Sequence, residues 1–145
     1  MNFVSHKNFK IVNIDNVTNV GYLREKLKIV FNMNYGITLQ DKLGSKIISD
    51  YVYWEFTSVS EYESCVDMIN KKTSNWIRTS KEQRIVNPKL ISSIVFDDTN
   101  FKIIFNFSHT VTLSTGGLTS EFTFHKFSTQ EKYNFYKEQL KNNLQ

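Results

Sequence analysis

From residue 27 to residue 33 the apolar positions fall on every second residue. Leu27, Ile29, Phe31 and Met33 share one side of an extended chain, and Lys28, Val30 and Asn32 share the other. A period of two predicts a strand with one buried face. Phe101, Ile103, Phe105 and Phe107 repeat the pattern, with Lys102 and Asn106 opposite them. Segments 27–39 and 101–113 align without a gap at an offset of 74 residues, and six of thirteen positions are identical. Upstream at the same offset Asn13 meets Asn87, Val17 meets Ile91, Val20 meets Ile94 and Tyr22 meets Phe96. Downstream a gap of three changes the offset to 71, where Tyr53 meets Phe124, Phe56 meets Phe127 and Tyr62 meets Tyr133. The order of pattern classes is kept throughout, which reads as one unit written twice.

Each copy resolves into strands followed by a helix. In the first, residues 17–22, 27–33 and 47–56 read as strands. Asn34-Tyr35-Gly36 reads as a hairpin turn leading into 37–39, because Asn and Gly tolerate positive φ. In the second, 90–96, 101–107 and 121–127 read as strands, with a turn at Asp97-Asp98 and Asn100. Short strands at 9–14 and 75–79 head the copies. Ser58-Val-Ser-Glu61 and Ser128-Thr-Gln-Glu131 match the capping-box pattern and start helices that run to about residues 72 and 144. Val59, Tyr62, Val66 and Ile69 form the apolar stripe of the first helix.

The prediction is therefore an α+β fold, mainly antiparallel β with two helices. It is a duplicated strands-then-helix unit sharing one core, with pseudo-twofold character. Residues 1–145 form a single compact domain with pseudo-repeats at about 9–72 and 75–145. A second reading of the same string, three strands, a helix and two more strands, is an OB-fold-like small barrel with a C-terminal helix.

Composition narrows the function. The chain has 145 residues, 40% hydrophobic and 14% aromatic, with a formal net charge of +4. That charge permits a polyanionic partner without demanding one. One cysteine, Cys65, excludes an internal disulfide and a cysteine-based zinc site. No apolar run approaches the ~18 residues of a membrane helix, and the N-terminus has no apolar signal-peptide core, so the expected location is cytoplasmic. The many Asn, Lys, Ile and Phe residues suggest AT-rich coding, as in a low-GC bacterium or its mobile genetic elements. His6, His109 and His125 lie far apart without ligand spacing, and no phosphate-loop or nucleophile motif is present. Gly116-Gly117 reads as a loop and Asp97-Asp98 as a turn. No enzyme, metal site or cofactor is expected.

The most suggestive stretch lies between the copies, 70–89. It carries Lys71, Lys72, Arg78, Lys81, Arg84 and Lys89 against Glu82, with Trp76 among them. Basic side chains neutralise phosphates, and an aromatic ring offers a stacking surface to an unpaired base. The paired Lys/Asn faces of the repeated strands, Lys28 and Asn32, Lys102 and Asn106, suit a sugar-phosphate backbone in the same way. Tyr51 and Tyr53, matched by Phe122 and Phe124, supply further rings. The expected function is non-catalytic binding of single-stranded nucleic acid, DNA ahead of RNA, with low sequence specificity. The expected site is Trp76, Arg78, Lys81, Arg84, Lys28, Lys102 and Tyr53, and a second copy of the chain is a further expected partner. The alternative is a protein–protein interaction module, such as a small regulator or inhibitor encoded by a phage or plasmid. In element order alone the duplicated unit is similar to the Whirly and PUR-repeat single-stranded nucleic-acid binders. No family motif matches residue by residue, so the resemblance implies no site residues.

Overall fold

The structure, a computed structural model, describes residues 2–78 and 83–144. In chain order the elements are β1 (Phe3–Val4), β2 (Val12–Asn13), β3 (Val17–Leu23), β4 (Lys28–Asp41), β5 (Gly44–Glu55) and α1 (Val59–Lys72), then β6 (Ile77–Arg78), β7 (Arg84–Val86), β8 (Ile91–Asp97), β9 (Lys102–Thr112), β10 (Leu118–Lys126) and α2 (Gln130–Leu144). Every strand pair is antiparallel. The strands form a two-stranded ribbon β1-β2, a five-stranded sheet β5-β4-β3-β7-β6 and a three-stranded sheet β10-β9-β8. This is the predicted α+β class. The barrel alternative is corrected: among the described residues the two larger sheets are open and none of the ladders closes on itself. No helix among the described residues is long and apolar enough to cross a membrane.

The duplication extends to backbone detail. At an offset of 74, β3 becomes β8 and the first residues of β4 and β9 coincide; at 71, the last residues of β5 and β10 and the first of α1 and α2 coincide. Asn13 and Asn87 cap equivalent 3-10 turns, each accepting from the backbone N–H two residues on at 3.1 Å. Leu27 and Phe101 both hold left-handed backbone, at φ 49° and 56°. Side-chain carbons crowd the carbonyl there, at a cost of about 1–2 kcal/mol. Each aims its carbonyl at the residue just after the unit's last strand, Leu27 accepting from Phe56 N–H at 2.8 Å and Phe101 from Phe127 N–H at 2.9 Å. The helix caps also agree. Ser58 Oγ accepts from Glu61 N–H at 3.4 Å, and Thr129 Oγ1 from Lys132 N–H at 3.3 Å. The second cap is thus Thr129, one residue beyond the predicted Ser128. It keeps the 71-residue offset from Ser58.

Three local expectations change. Asn34-Tyr35-Gly36 is no hairpin turn: β4 runs on through it with a register shift between Asn32 and Gly36, and the chain reverses at Lys42-Leu43 instead. The shift bends β4 and β5 so that their outer halves cross β9. Backbone comes so close there that a Cβ on Gly36 would lie 2.7 Å from Ile47 Cγ2 and 3.2 Å from the Thr110 carbonyl oxygen. In α1, Cys65 takes the buried place assigned to Val59, which is exposed; Tyr62 and Ile69 are buried as expected.

The third change concerns symmetry. A pseudo-twofold pair would exchange elements reciprocally. Here β7, the counterpart of β2, pairs with β3 of the first unit through Asn19↔Val86, Val20↔Ile85 and Gly21↔Arg84. The reverse pairing of β2 with β8 does not occur: β2 pairs with β1 and packs Val12 into its own unit's core. Two cores result. The first gathers Val4, Val12, Val20, Phe31, Trp54, Tyr62 and Ile69, and takes in Ile85 from the second unit. The second gathers Val86, Ile103, Phe105, Phe107, Phe127, Tyr133 and Leu140. Neighbouring residues of β7 thus plug different cores, as the alternation of strand side chains requires.

Candidate nucleic-acid interface

The predicted site residues separate into two groups. Lys28 and Tyr53 come together on the face of the five-stranded sheet turned away from the first core. The Lys28 ammonium lies 4.6 Å from the Tyr53 ring centroid. Tyr51, two residues along β5, stacks beside Tyr53 with centroids 6.3 Å apart and planes 26° from parallel. The second unit repeats the arrangement: Lys102 lies 4.8 Å from the centroid of Phe124, and Phe122 stands two residues away on the same face. Tyr53 is 50% exposed and Phe124 48%, so both rings are open to a ligand. Their outward direction follows from the period of two, since Trp54 between Tyr53 and Glu55 is fully buried. Tyr51, Phe122 and Phe124 enter the site alongside the residues expected from sequence. Their signal was the repeat, which pairs 51 with 122 and 53 with 124.

The connector behaves differently. Arg78 spans the end of α1: Nη1 donates to Asn70 Oδ1 at 2.8 Å, and Nη2 donates to the Asn70 and Thr73 carbonyls at 3.1 and 2.8 Å. The Asn70 carbonyl lies in the last turn, where carbonyls lack an intrahelical donor, and a cation suits that end of the helix. The Arg78 carbonyl in turn accepts from the Tyr136 hydroxyl of α2. Trp76 is half-buried and packs on the first core. Arg84 lies over Gly21, with Nη2 3.6 Å from where a Cβ would stand. Its Nη1 donates to Asn19 Oδ1, which also accepts from Asn32 Nδ2 at 3.0 Å. Burial lowers the Arg84 pKa, against the opposing pull of Glu121. Lys81 lies outside the described residues.

An open groove of about 900 Å³ runs beside Phe124 and is walled by Tyr22, Leu23, Arg24, Tyr62, Asn70 and Arg84, among others. Of the ring–lysine residues, Phe124 alone lines the groove. Its ionic lining balances: Arg24, Lys26 and Arg84 against Glu25, Glu63 and Asp67, with Arg24 and Glu63 paired at 2.6 Å. The groove therefore offers no excess of positive charge, and Lys28 and Lys102 stand on the sheet faces outside its lining.

One cluster that sequence reasoning missed joins the two sheets. Ser49 of β5 donates to Glu121 Oε2 of β10, and its Oγ lies 2.6 Å from His109 Nε2 of β9. A carboxylate only accepts, so the serine proton faces Glu121 and His109 Nε2 must carry the other proton. His109 Nδ1 is then a buried acceptor with no hydrogen-bond partner. Burial lowers the His109 pKa, against Glu121. The serine stands between acid and imidazole, and its proton points away from the histidine. That is not the order of a base-activated nucleophile, in which the imidazole receives the hydroxyl proton. No grouping of three or more metal-ligating side chains occurs among the described residues. Comparison of the chain with protein-family models, with curated proteins and with solved structures finds no match.

Proposed function

We propose that the protein binds single-stranded nucleic acid without catalysis and with low sequence specificity. The observation that carries this reading is the ring–lysine pair, present at equivalent positions in both units: Lys28 with Tyr53 and Tyr51, Lys102 with Phe124 and Phe122. Each supplies a stacking surface for a base and a cation for the phosphate beside it. Magnitudes favour the exchange. Lifting an ammonium from an exposed ring costs about 0.5–1 kcal/mol, whereas a stacked base contributes about 1–3 kcal/mol. The displaced ammonium then pairs with phosphate. Low specificity follows because every base has a π-face and no side chain here is arranged to read base edges. Trp76, Arg78 and Arg84 support the frame in this reading.

The test is fluorescence anisotropy of a labelled poly-T oligonucleotide, beside a duplex of equal length, at two salt concentrations. The expected result is tighter binding of the single strand, steep weakening with salt, and a loss of about 5–150-fold for Tyr53→Ala or Phe124→Ala. Absence of binding at low salt would remove this reading and turn the exposed rings toward the alternative, a protein partner anchored on aromatic residues.

A further inference from the structure

The unreciprocated exchange leaves two edges with matching chemistry. The edge of β3 is covered by β7, which buries Thr18 and Asn19 completely or nearly so. The equivalent edge of β8 pairs with no strand among the described residues, and Ser92 and Ser93, the counterparts of Thr18 and Asn19, are exposed. On the other side, Ile85 of β7 is 0% exposed against Val20, while its counterpart Ile11, beside β2, is 67% exposed. One edge lacks its ribbon, and one ribbon lacks its edge. No lysine or proline lies within β8 to blunt its edge.

We infer that the protein assembles head to tail, the β2 ribbon of one copy adding to the β8 edge of the next. The contact repeats the one already made between β7 and β3 inside the chain. Shifting that register by 74 residues pairs Ser93 with Val12, Ile94 with Ile11, and Val95 with Lys10 of the neighbour. The flanking bonds transfer as well. Tyr22 N–H to the Gln83 carbonyl, 2.8 Å, becomes Phe96 N–H to the Phe9 carbonyl. Asn87 N–H to the Thr18 carbonyl, 2.8 Å, becomes Asn13 N–H to the Ser92 carbonyl. Asn87 Nδ2 to the Val17 carbonyl, 3.1 Å, becomes Asn13 Nδ2 to the Ile91 carbonyl. The groups required face outward. In the β1-β2 ribbon the bonded positions are Val12 with Val4 and Ile14 with Asn2, so Ile11 and Asn13 direct their backbone groups to the other edge. The partner is a second copy because the segment offered, Lys10-Ile11-Val12-Asn13, matches Arg84-Ile85-Val86-Asn87, which already seats on the equivalent edge inside the chain. The contact joins different surfaces of the two copies, so it propagates. It uses residues separate from the ring–lysine pairs and stands whether or not the chain binds nucleic acid.

Sedimentation velocity across a concentration series tests this with wild type, Ile11→Asp, Val95→Lys and an equimolar mixture of the two variants. Ile11 and Val95 side chains are exposed, so both variants keep the wild-type fold and melting temperature. Wild type is expected to form larger species as concentration rises. Each variant alone is expected to stay at the monomer mass of 17.1 kDa, because Ile11→Asp spoils the ribbon and Val95→Lys sets lysine opposite Lys10. The mixture offers one bad ribbon with a good edge, and one good edge's partner ribbon on the other variant. It must therefore contain one-to-one dimers that go no further than a capped pair: the intact ribbon of Val95→Lys on the intact edge of Ile11→Asp. A wild type that stays monomeric, or a variant pair that fails to form dimers where wild type assembles, overturns the proposal. As a second readout, Lys10→Cys and Val95→Cys proteins are mixed under oxidising conditions. Disulfide joining one of each supports the pairing, and its absence in an assembling protein counts against it.

Discussion

Ile85 of β7 stands across the ladder from Val20 of β3, and both are fully buried. The second unit thus supplies a side chain to the core of the first, and the link between the units is a shared sheet as well as a peptide connection.

Ile85→Ala should cost about 2–5 kcal/mol, the range for a large-to-small change in a packed core. Ile11→Ala, at the repeat-equivalent position, should change monomer stability by less than about 0.5 kcal/mol, as exposed substitutions do. Urea denaturation of the two variants measures the difference. Equal losses would mean that Ile11 is packed against something in the folded protein.

Trp76 packs on the first core and Arg78 closes the end of α1. Trp76→Ala and Arg78→Ala are expected to lower the melting temperature, and any loss of oligonucleotide affinity should be small at a temperature where the variants remain folded. Calorimetry followed by anisotropy separates the effects. A Trp76→Ala protein that melts like wild type and binds weakly would return this residue to the binding surface.

Asp98 accepts from the Tyr133 hydroxyl at 2.6 Å and from Lys137 at 2.9 Å, and these two contacts, the first the larger, lower its pKa. A depressed carboxylate stabilises the fold above its unfolded value, near 3.9, and loses that contribution as pH falls through the lower folded value. Asp98→Asn should therefore flatten the loss of stability below about pH 4. Urea midpoints at several acidic pH values show it.

His109 follows the same sign at a different pH. Burial lowers its folded pKa, so the unfolded chain takes up the proton first. Its contribution is complete above the ordinary value near 6.5 and declines as pH drops below it. His109→Gln should remove this limb, which begins as pH falls below about 6.5, and leave the more acidic carboxylate limb in place. An unchanged profile would show that His109 titrates as it does in the unfolded chain.

Much of this architecture can be read from the residues. Alternation in 27–33 and 101–107 sets which side chains enter each core. Ser58 places the start of α1, and the offsets of 74 and 71 give the second unit from the first, down to the turns capped by Asn13 and Asn87. These features are local or periodic, so neighbouring residues contain them. What the residues did not disclose is long-range. Asn34-Tyr35-Gly36 has the chemistry of a turn, yet β9 crossing over Gly36 makes it a bend in a continuous strand. The basic connector has the composition of a phosphate-binding segment, yet Arg78 finds the carbonyls at the end of α1 and Arg84 finds Asn19. Ser49, His109 and Glu121 meet although 60 and 12 residues separate them in sequence, because β5, β9 and β10 meet. Above all, β2 and β7 carry the same pattern and only β7 gains a partner edge. Backbone hydrogen bonds are alike at every strand edge, so sequence pattern specifies which face of a strand is buried. Which edge it joins is decided by where the rest of the chain brings it.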